Sequence, residues 1–376
     1  MVGAGFSGAV IGRALAERGH KVLLVDERKH VAGNCHSAQD PETGVMTHVY
    51  GPHIFHTANE RVWQYINRFG VMRPYDHRVR GVSGGVVYSL PINLLTINQF
   101  FRASFSPEQA RTFIALNAQA IPEPKNFEEQ ALSMIGPDLY KAFFRGYTRK
   151  QWGIDPTMLP ASILKRLPLR FNYDDRYFEH PYQAIPEKGY SALVDAILAT
   201  PNLELRLGVR FEELEEKFAH VVYSGPIDRY FNYEFGRLAY RTLDFEVFRS
   251  TGDHQGTAVL NYCDENAPFT RVTEHKHFAP WKKNEIEGTI CYREFSRDCG
   301  PADIPYYPVR RTDEEATLRK YVARARATTG VTFVGRLGSY RYLDIDVTIA
   351  EALSAAEGII TAISEGTRIP AFFVLP

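Results

Sequence analysis

The sequence predicts an α/β fold in which a parallel, doubly wound sheet is interrupted by a helical bundle and by an antiparallel sheet. Residues 1–35 have the pattern strand, glycine-rich turn, helix and strand, which is typical of the first unit of such a sheet. The alternation then stops, and residues 94–165 follow helical spacing. Short β-branched and aromatic segments between turn residues indicate the antiparallel sheet.

The first element is the turn Gly3-Ala4-Gly5-Phe6-Ser7-Gly8, whose spacing matches dinucleotide-binding turns. In such turns the first glycine permits a tight bend, the second lets the backbone approach a pyrophosphate, and the third lets the helix pack on the strand. Asp26 follows an apolar strand at the distance expected for a carboxylate that binds ribose hydroxyls. This context favours a dinucleotide site over a purely structural turn. Only Met1 and Val2 precede the turn, so we expect either a start upstream or a shortened first strand.

The helical stretch has two marked helix starts and one marked break. Ser106-Pro107-Glu108-Gln109 and Asn126-Phe127-Glu128-Glu129 both carry a capping residue followed three positions later by Gln or Glu. Gly136-Pro137 interrupts the helical spacing. We therefore expect an inserted helical domain over residues 94–165.

The remaining strands divide between two domains. Five segments suggest an antiparallel sheet: 85–90, 220–223, 257–262, 269–273 and 288–292. Segments 203–207 and 331–334 look like returns to the first domain, and a last helix is expected over 347–363. The nucleotide-binding domain is then discontinuous and comprises residues 1–72, 185–228 and 312–376. The sheet domain comprises residues 73–93, 166–184 and 229–311.

Composition narrows the function classes. The chain has 376 residues, and its 44 basic and 44 acidic residues cancel, so no net field indicates a nucleic acid or a membrane as partner. Without a long apolar run or a leader pattern, a cytoplasmic protein is expected. The 4 cysteines form no C-x-x-C pair and predict reduced thiols. His53-x-x-His56 and His275-x-His277 lack partners at recognised spacing, so no metal is expected.

Three further segments could carry chemistry, and the residues alone leave two interpretations of each. Segment 143–153 is either a helix with an aromatic core stripe or a base-stacking platform beside cations. Segment 164–177 is either a solvated turn or a flexible lid whose arginines bind phosphate. Segment 335–347 is either a capped surface loop or a loop that directs a helix N-terminus at the cofactor.

The order and wording of these segments resemble the bacterial UDP-galactopyranose mutases, essentially from end to end. The matching stretches include the glycine turn and residues 48–57, 146–153, 159–166 and 335–351. The resemblance implies a discontinuous Rossmann-like FAD-binding domain with an inserted helical bundle and a six-stranded antiparallel sheet. It implies an isomerase that interconverts UDP-galactopyranose and UDP-galactofuranose without net redox change. The implied route is a covalent adduct between N(5) of reduced flavin and the galactose anomeric carbon.

The resemblance also implies site residues and partners. Arg166 and Arg271 would hold the diphosphate and, with His56, act in catalysis. Residues implied to contact FAD are Gly3, Gly5, Phe6, Ser7, Gly8, Asp26, Glu27, Gly33, Asn34, His53, Ile54, Val209, Gly225, Gly335, Arg336, Tyr342, Leu343 and Asp344. Residues implied to contact the substrate, besides the two arginines, are Phe143, Tyr147, Thr148, Trp152, Tyr177, Arg241, Asn261, Tyr307 and Tyr342. A homodimer and a flavin reductant such as NAD(P)H are further implied.

Two positions depart from the family pattern, and two other function classes remain open. Ala32-Gly33 stands where many relatives have paired glycines, and His77 stands where an asparagine is expected near the uridine. A flavin oxidase or desaturase of related fold would use the same glycine turn, as would a non-catalytic nucleotide-binding module. Paired arginines and a tyrosine-rich cleft suit a sugar nucleotide better than an apolar substrate. We expect residues 158–169 to close over bound UDP.

Overall fold

The computed structural model describes residues 1–166, 169–309 and 312–376, without the side chains of residues 165, 166, 284, 312 and 313. The helices are α1 Phe6–Glu17, α2 Glu60–Asn67, α3 Leu94–Phe101, α4 Pro107–Asn117, α5 Phe127–Leu139, α6 Gly146–Trp152, α7 Gly189–Leu198, α8 Ile227–Tyr230, α9 Thr312–Ala327, α10 Gly335–Gly338 and α11 Ile345–Glu365. The strands are β1 Val22–Asp26, β2 Ser37–Gln39, β3 Met46–His48, β4 Phe55–Thr57, β5 Met72–Pro74, β6 Val79–Ser83, β7 Val86–Leu90, β8 Tyr182–Pro186, β9 Leu203–Leu207, β10 Val221–Tyr223, β11 Tyr240–Thr251, β12 Val259–Tyr262, β13 Arg271–Glu274, β14 Gly288–Asp298, β15 Tyr307–Pro308 and β16 Val331–Phe333.

A parallel sheet of short strands carries the glycine turn. Strand β1 pairs with β9, and β10 pairs with β16, both in parallel. Val2 forms parallel bridges to Val25 and to Tyr223, so this single residue joins the two pairs. Helices α1, α7 and α11 cover the sheet through a shared apolar core. The predicted α/β architecture is confirmed, including the return of distant strands to the first unit.

Segment 220–223 was wrongly assigned to the antiparallel sheet. It forms β10, which pairs in parallel with β16 and lies beside Val2. The reason is that its run of Val221, Val222 and Tyr223 is short and apolar throughout. Such a run lacks the alternation that distinguishes a half-exposed antiparallel strand from a strand buried on both faces.

The second sheet has seven strands in the order β15-β11-β14-β13-β12-β6-β7. It differs from the expected six-stranded antiparallel sheet in strand number and because β12 pairs with β6 in parallel. Strand β11 runs antiparallel to β14 over 11 residue pairs and lies between β15 and β14. Strand β11 was not predicted, because its polar and apolar residues are interspersed and form no short apolar segment.

The helical domain begins and breaks where its local signals indicate. Ser106 caps α4 in a capping box with Gln109, and the side chain of Asn126 accepts a hydrogen bond from the backbone N of Glu129 in α5. Gly136 has φ +75°, which kinks α5 before Pro137. A π-helical turn over Tyr140–Arg145 then leads into α6. Both predicted helix starts and the predicted break are confirmed.

Helix α11 confirms the predicted last helix and has a second property. By length and composition it could cross a membrane, and it is the one such helix in the described part of the chain. Its buried face, with Ile349, Ala352 and Ile359, belongs to the core that also contains α1. This packing is the behaviour of a core helix in a folded domain.

Candidate active site

The three glycines of the turn differ in what surrounds them. A Cβ atom on Gly8 would lie 1.9 Å from the carbonyl oxygen of Gly3, and one on Gly3 would lie 2.0 Å from Oγ of Ser224. A Cβ atom on Gly5, at the N-cap of α1, would meet no atom within 4 Å. The first and third glycines are therefore required by packing, whereas the second borders open space. A helix N-terminus with open space in front of it is suited to a pyrophosphate.

Asp26 holds the turn at the end of β1. Its Oδ2 accepts a hydrogen bond from the backbone N of Ala4 at 2.7 Å, and its Oδ1 accepts one from the N of Arg28 at 2.9 Å. Each carboxylate oxygen has a second lone pair, so capacity for ribose hydroxyls remains. Val209 donates its N–H to the carbonyl of Asp26 at 3.0 Å. The neighbouring Glu27 instead forms an ion pair with Arg229 at 3.0 Å.

The 3-10 turn Gly33–Cys35 lies against the glycine turn. Gly33 has φ +53°, and its Cβ would lie 3.5 Å from Cα of Gly5. A further residue, Arg28, fits a dinucleotide and was not predicted from the sequence. The guanidinium of Arg28 lies 4.9 Å from the ring centroid of Tyr50. Its Nη1 is buried and has no hydrogen-bond partner among the described residues. An orphaned guanidinium nitrogen fits a phosphate. The sequence signal for Arg28 is its position two residues after Asp26, the acid that is predicted to bind ribose.

Arg336 lies on the other side of the cleft, where α10 begins. Its Nη2 donates to the carbonyl of Leu343 at 2.7 Å, and its Nη1 donates to that of Tyr306 at 3.2 Å. Its guanidinium carbon lies 5.7 Å from the ring centroid of Tyr307 and 5.1 Å from that of Tyr342. A Cβ on the preceding Gly335 would lie 2.7 Å from Oγ of Ser7. The structure thus brings segment 335–344 against the glycine turn.

Arg271 on β13 is held by a carboxylate. Both its Nε and its Nη2 lie 3.0 Å from Oε1 of Glu294 on β14, and Thr270 donates its hydroxyl to the same oxygen at 3.0 Å. Glu294 is 1% exposed, and its Oε2 has no partner within the described ranges. Glu294 was not predicted, because its partner becomes a neighbour only through strand pairing. Asn261, paired with Arg271 across β12 and β13, also has an orphaned buried oxygen, Oδ1.

Three tyrosines surround this arginine. Tyr147, Tyr177 and Tyr307 all interact electrostatically with Arg271. Burial raises the pKa of all three phenols. The phenols are consequently neutral hydroxyl donors over the whole physiological range. A guanidinium among neutral donors is an arrangement that binds phosphate oxygens.

His56 on β4 forms a pair with a second histidine, His180, which was not predicted. The two Nδ1 atoms are 2.8 Å apart, so the N–H of one ring donates a hydrogen bond to the nitrogen of the other. The ring of Phe178 stacks on His56 with centroids 3.7 Å apart. Burial lowers the pKa of His56, although Asp344 and Asp346 oppose this effect. His56 therefore faces the end of the cleft where α11 begins.

Three residues that are implied to contact the substrate are buried: Phe143, Thr148 and Arg241. Phe143 is 3% exposed and packs edge-to-face on Tyr88 in the helical core, with ring centroids 5.0 Å apart. Arg241 is 2% exposed and binds Asp298 at 2.5 Å and the carbonyl of Gln151 at 3.2 Å. The substrate contacts expected of these three residues stay predictions.

Some of the implied contacts involve residues that the structure describes only in part. The side chain of Arg166 lies outside the described residues, and the backbone there ends the 3-10 segment Ala161–Arg166. In the expected lid, Leu159 and Leu164 are buried in the helical core, whereas Met158 is 70% exposed. Residues 167 and 168 of that lid also lie outside the described part. Asn34 donates to the carbonyl of Pro305 at 3.4 Å. The cofactor contacts expected of Asn34, His53, Ile54 and Gly225 and the substrate contact expected of Trp152 stay predictions.

One cluster has the residue types of a metal site. Ligand atoms of Asp253, Glu274 and His277 lie within 4.8 Å of one another. Lys283 donates to Asp253 at 2.8 Å, and the backbone of His254 donates to Glu274 at 2.9 Å. A lysine ammonium in direct contact supplies the positive charge that a cation would otherwise bring. The cluster is thus an ion-pair network of the sheet domain.

The fold and the cleft define an enzyme with a Rossmann-like nucleotide-binding domain and an arginine–tyrosine wall contributed by inserted domains. Residues 1–69 match the family model of NAD(P)-binding Rossmann-like domains, and residues 142–342 match that of UDP-galactopyranose mutases. The chain belongs to the UDP-galactopyranose mutase family, which indicates an isomerase.

The similar proteins cover the whole chain. A probable UDP-galactopyranose mutase of Klebsiella pneumoniae is 54% identical over 376 residues, which are 100% of this chain and 97% of that protein. A dTDP-fucopyranose mutase of Escherichia coli is 52% identical and covers 95% of this chain and 97% of its own length. A crystal structure of reduced UDP-galactopyranose mutase has a TM-score of 0.73 at 16% identity, covering 99% and 98% of the two chains. That structure shows the shared fold.

Proposed function

We propose that this protein is an FAD-dependent mutase that interconverts UDP-galactopyranose and UDP-galactofuranose. The observation that carries the proposal is Arg271, a cation held by Glu294 among three neutral tyrosines, one of which, Tyr307, also lies beside Arg336. The family membership and the 54% identical relative support the same reaction.

The residues present fit FAD. The open space at Gly5 and the N-terminus of α1 would receive the pyrophosphate, with the orphaned Nη1 of Arg28 as a further donor. Asp26 would bind the ribose, and Arg336 with segment 342–344 would border the isoalloxazine end. When bound and reduced, FAD would supply the nucleophilic nitrogen N(5) that takes the sugar anomeric carbon from the diphosphate.

The protein's own residues would stabilise the departing diphosphate. As the bond to the anomeric carbon lengthens, negative charge grows on the phosphate oxygens, and a preorganised guanidinium stabilises this state more than the ground state. Arg271 would serve this role, and Arg166 is proposed as its partner. Tyr177 and Tyr307 would donate hydroxyl hydrogen bonds, because burial keeps their phenols protonated.

The assay is incubation of the protein with UDP-galactofuranose, with and without dithionite, followed by chromatography of the sugar nucleotides. Conversion only after reduction, without stoichiometric use of the reductant, is the expected result. Arg271→Ala should lower turnover by about 10²–10³-fold with flavin retained, and Arg271→Lys should rescue poorly because the planar fork is lost. Arg293→Ala is the control. Arg293 precedes Glu294 on β14, and because adjacent residues of a strand point to opposite faces, Arg293 points away from the face that holds Arg271. Near-normal activity of Arg271→Ala would refute the assignment. Consumption of oxygen or of an acceptor would indicate an oxidase instead.

A second candidate reaction has the same chemistry on a different sugar nucleotide. The 52% identical relative is named for dTDP-fucopyranose. Arg271 and its tyrosines would bind either diphosphate equally well. The same chromatographic assay with dTDP-fucose distinguishes the two candidates by their kcat/KM ratio.

A further inference from the structure

His77 lies inside the cleft, between the two ends of the proposed reaction site. The ring of Phe178 stacks on His77 and on His56, with centroids 6.1 and 3.7 Å away, and the charge of Arg271 also acts on the His77 ring. The backbone carbonyl of His77 accepts a hydrogen bond from the N of Tyr177 at 2.7 Å. In the proposed function, Arg271 binds the diphosphate and His56 borders the flavin. The group that lies between a diphosphate and a flavin is the sugar ring, so His77 faces the sugar and not the base.

The ring of His77 occupies an aromatic recess. The centroids of Tyr75, Tyr177, Phe178 and Phe278 lie 5.9, 5.6, 6.1 and 6.2 Å from that of His77. The side chain is almost fully buried, and burial, aided by the charges of Arg271 and His56, lowers the pKa of His77 to about 3. The imidazole is therefore neutral at physiological pH.

One nitrogen of this neutral ring is used and the other is available. Nδ1 lies 3.4 Å from the hydroxyl of Tyr75, a contact that either tautomer of the ring can make. Across the described ranges, no side chain or backbone group bonds to Nε2. An available ring nitrogen among aromatic rings is suited to a hydroxymethyl group, which in galactopyranose carries the one hydroxyl that stands on a carbon outside the ring.

We propose that Nε2 of His77 hydrogen-bonds to the 6-hydroxyl of the sugar and makes this protein select galactose over 6-deoxygalactose nucleotides. The inference rests on the proposed function and specifies its substrate. It holds for both tautomers, because a hydroxyl can donate to Nε2 or accept from it. The methyl group of a 6-deoxy sugar can do neither, so it would leave a buried polar atom unpaired.

The test compares UDP-galactose with UDP-6-deoxygalactose, which share the nucleotide and differ only at C6. Two ratios are measured: kcat/KM with reduced enzyme, and Kd by calorimetry with the oxidised protein, which needs no turnover. We expect wild type to favour UDP-galactose by about 10- to 100-fold in both. His77→Phe should bring both ratios close to one through loss on UDP-galactose, and His77→Asn, which keeps a polar group, should retain part of the preference. His220→Asn is the control, because His220 bonds to Thr332 in the parallel sheet.

The outcomes separate this inference from the proposed function. Equal treatment of the two sugar nucleotides by wild type would overturn the role of His77 while leaving the mutase assignment intact. Equal losses on both substrates in His77→Phe would also overturn it, since the lost contact would then be one that the sugars share. Conversion of neither sugar nucleotide by wild type would overturn both. If His77→Phe fails to fold, as seen by circular dichroism, the wild-type ratios and His77→Asn decide.

Discussion

Acidification should destabilise this protein because several histidines are buried in the neutral state. Burial lowers the pKa of His77 and of His275 to about 3, whereas histidine in an unfolded chain titrates near ~6.5. His36 and His53 follow, with a pKa of about 4 each. Between these values the unfolded state binds more protons than the folded state. Stability is therefore present above pH ~6.5 and is lost as the pH falls below it.

The size of the effect follows from the two buried rings whose pKa is about 3, those of His77 and His275. At pH 5.5 each of His77 and His275 disfavours the folded state by about 1.4 kcal/mol, so together they remove about 3 kcal/mol relative to pH 7.5. This is a large share of the about 5–15 kcal/mol by which domains are stable. His277 offsets part of the loss, because contacts with Glu274 and Asp253 outweigh its burial and raise its pKa.

The assay is guanidinium unfolding at pH 7.5, 6.5 and 5.5, followed by circular dichroism. His275→Gln should reduce the slope of the unfolding free energy by up to about 1.4 kcal/mol per pH unit, since one fewer proton is taken up. His254→Gln is the control, because His254 is exposed. An unfolding free energy that stays constant or rises on acidification would refute the reasoning, as would the same slope in His275→Gln and wild type.

Three further outcomes are expected. Gly8→Ala should prevent stable folding, because its Cβ would overlap the carbonyl of Gly3. Gly5→Ala should fold normally and lose flavin, which is measured as the absorbance at about 450 nm per mole of purified protein. Glu294→Gln should weaken UDP binding in calorimetry by about tenfold, since Arg271 loses its charged anchor, and an unchanged affinity would contradict this. Lys150→Met should lower the unfolding free energy in urea by about 1–3 kcal/mol, because Nζ of Lys150 donates to three backbone carbonyls at 2.7–3.1 Å.

The parts of the structure that sequence predicted are those set by local chemistry. The caps at Ser106 and Asn126 and the break at Gly136 depend on residues within one helical turn. The need for glycine at position 8 is likewise local, because Gly8 packs against the carbonyl of Gly3 in the same turn. Such features can be predicted without knowledge of the fold.

The parts that sequence missed depend on partners distant in the chain. Glu294 meets Arg271 only because β13 pairs with β14, and His180 meets His56 only because β8 pairs with β4. Arg241 likewise meets a distant partner, since its Nε donates to the backbone carbonyl of Gln151. Residue type indicated the chemistry of these positions, but tertiary pairing decided which residues they contact.

The contact between Gly335 and Ser7 has a consequence for how the protein is made. The nucleotide cradle needs the first turn, Ser224 against Gly3, and Gly335 against Ser7, which leave the ribosome in that order. A growing chain displays the complete glycine signature once Gly8 has been added, but it has no finished cradle until Gly335, more than 300 residues later. A fragment that bears the signature alone therefore lacks the contacts that complete the cradle.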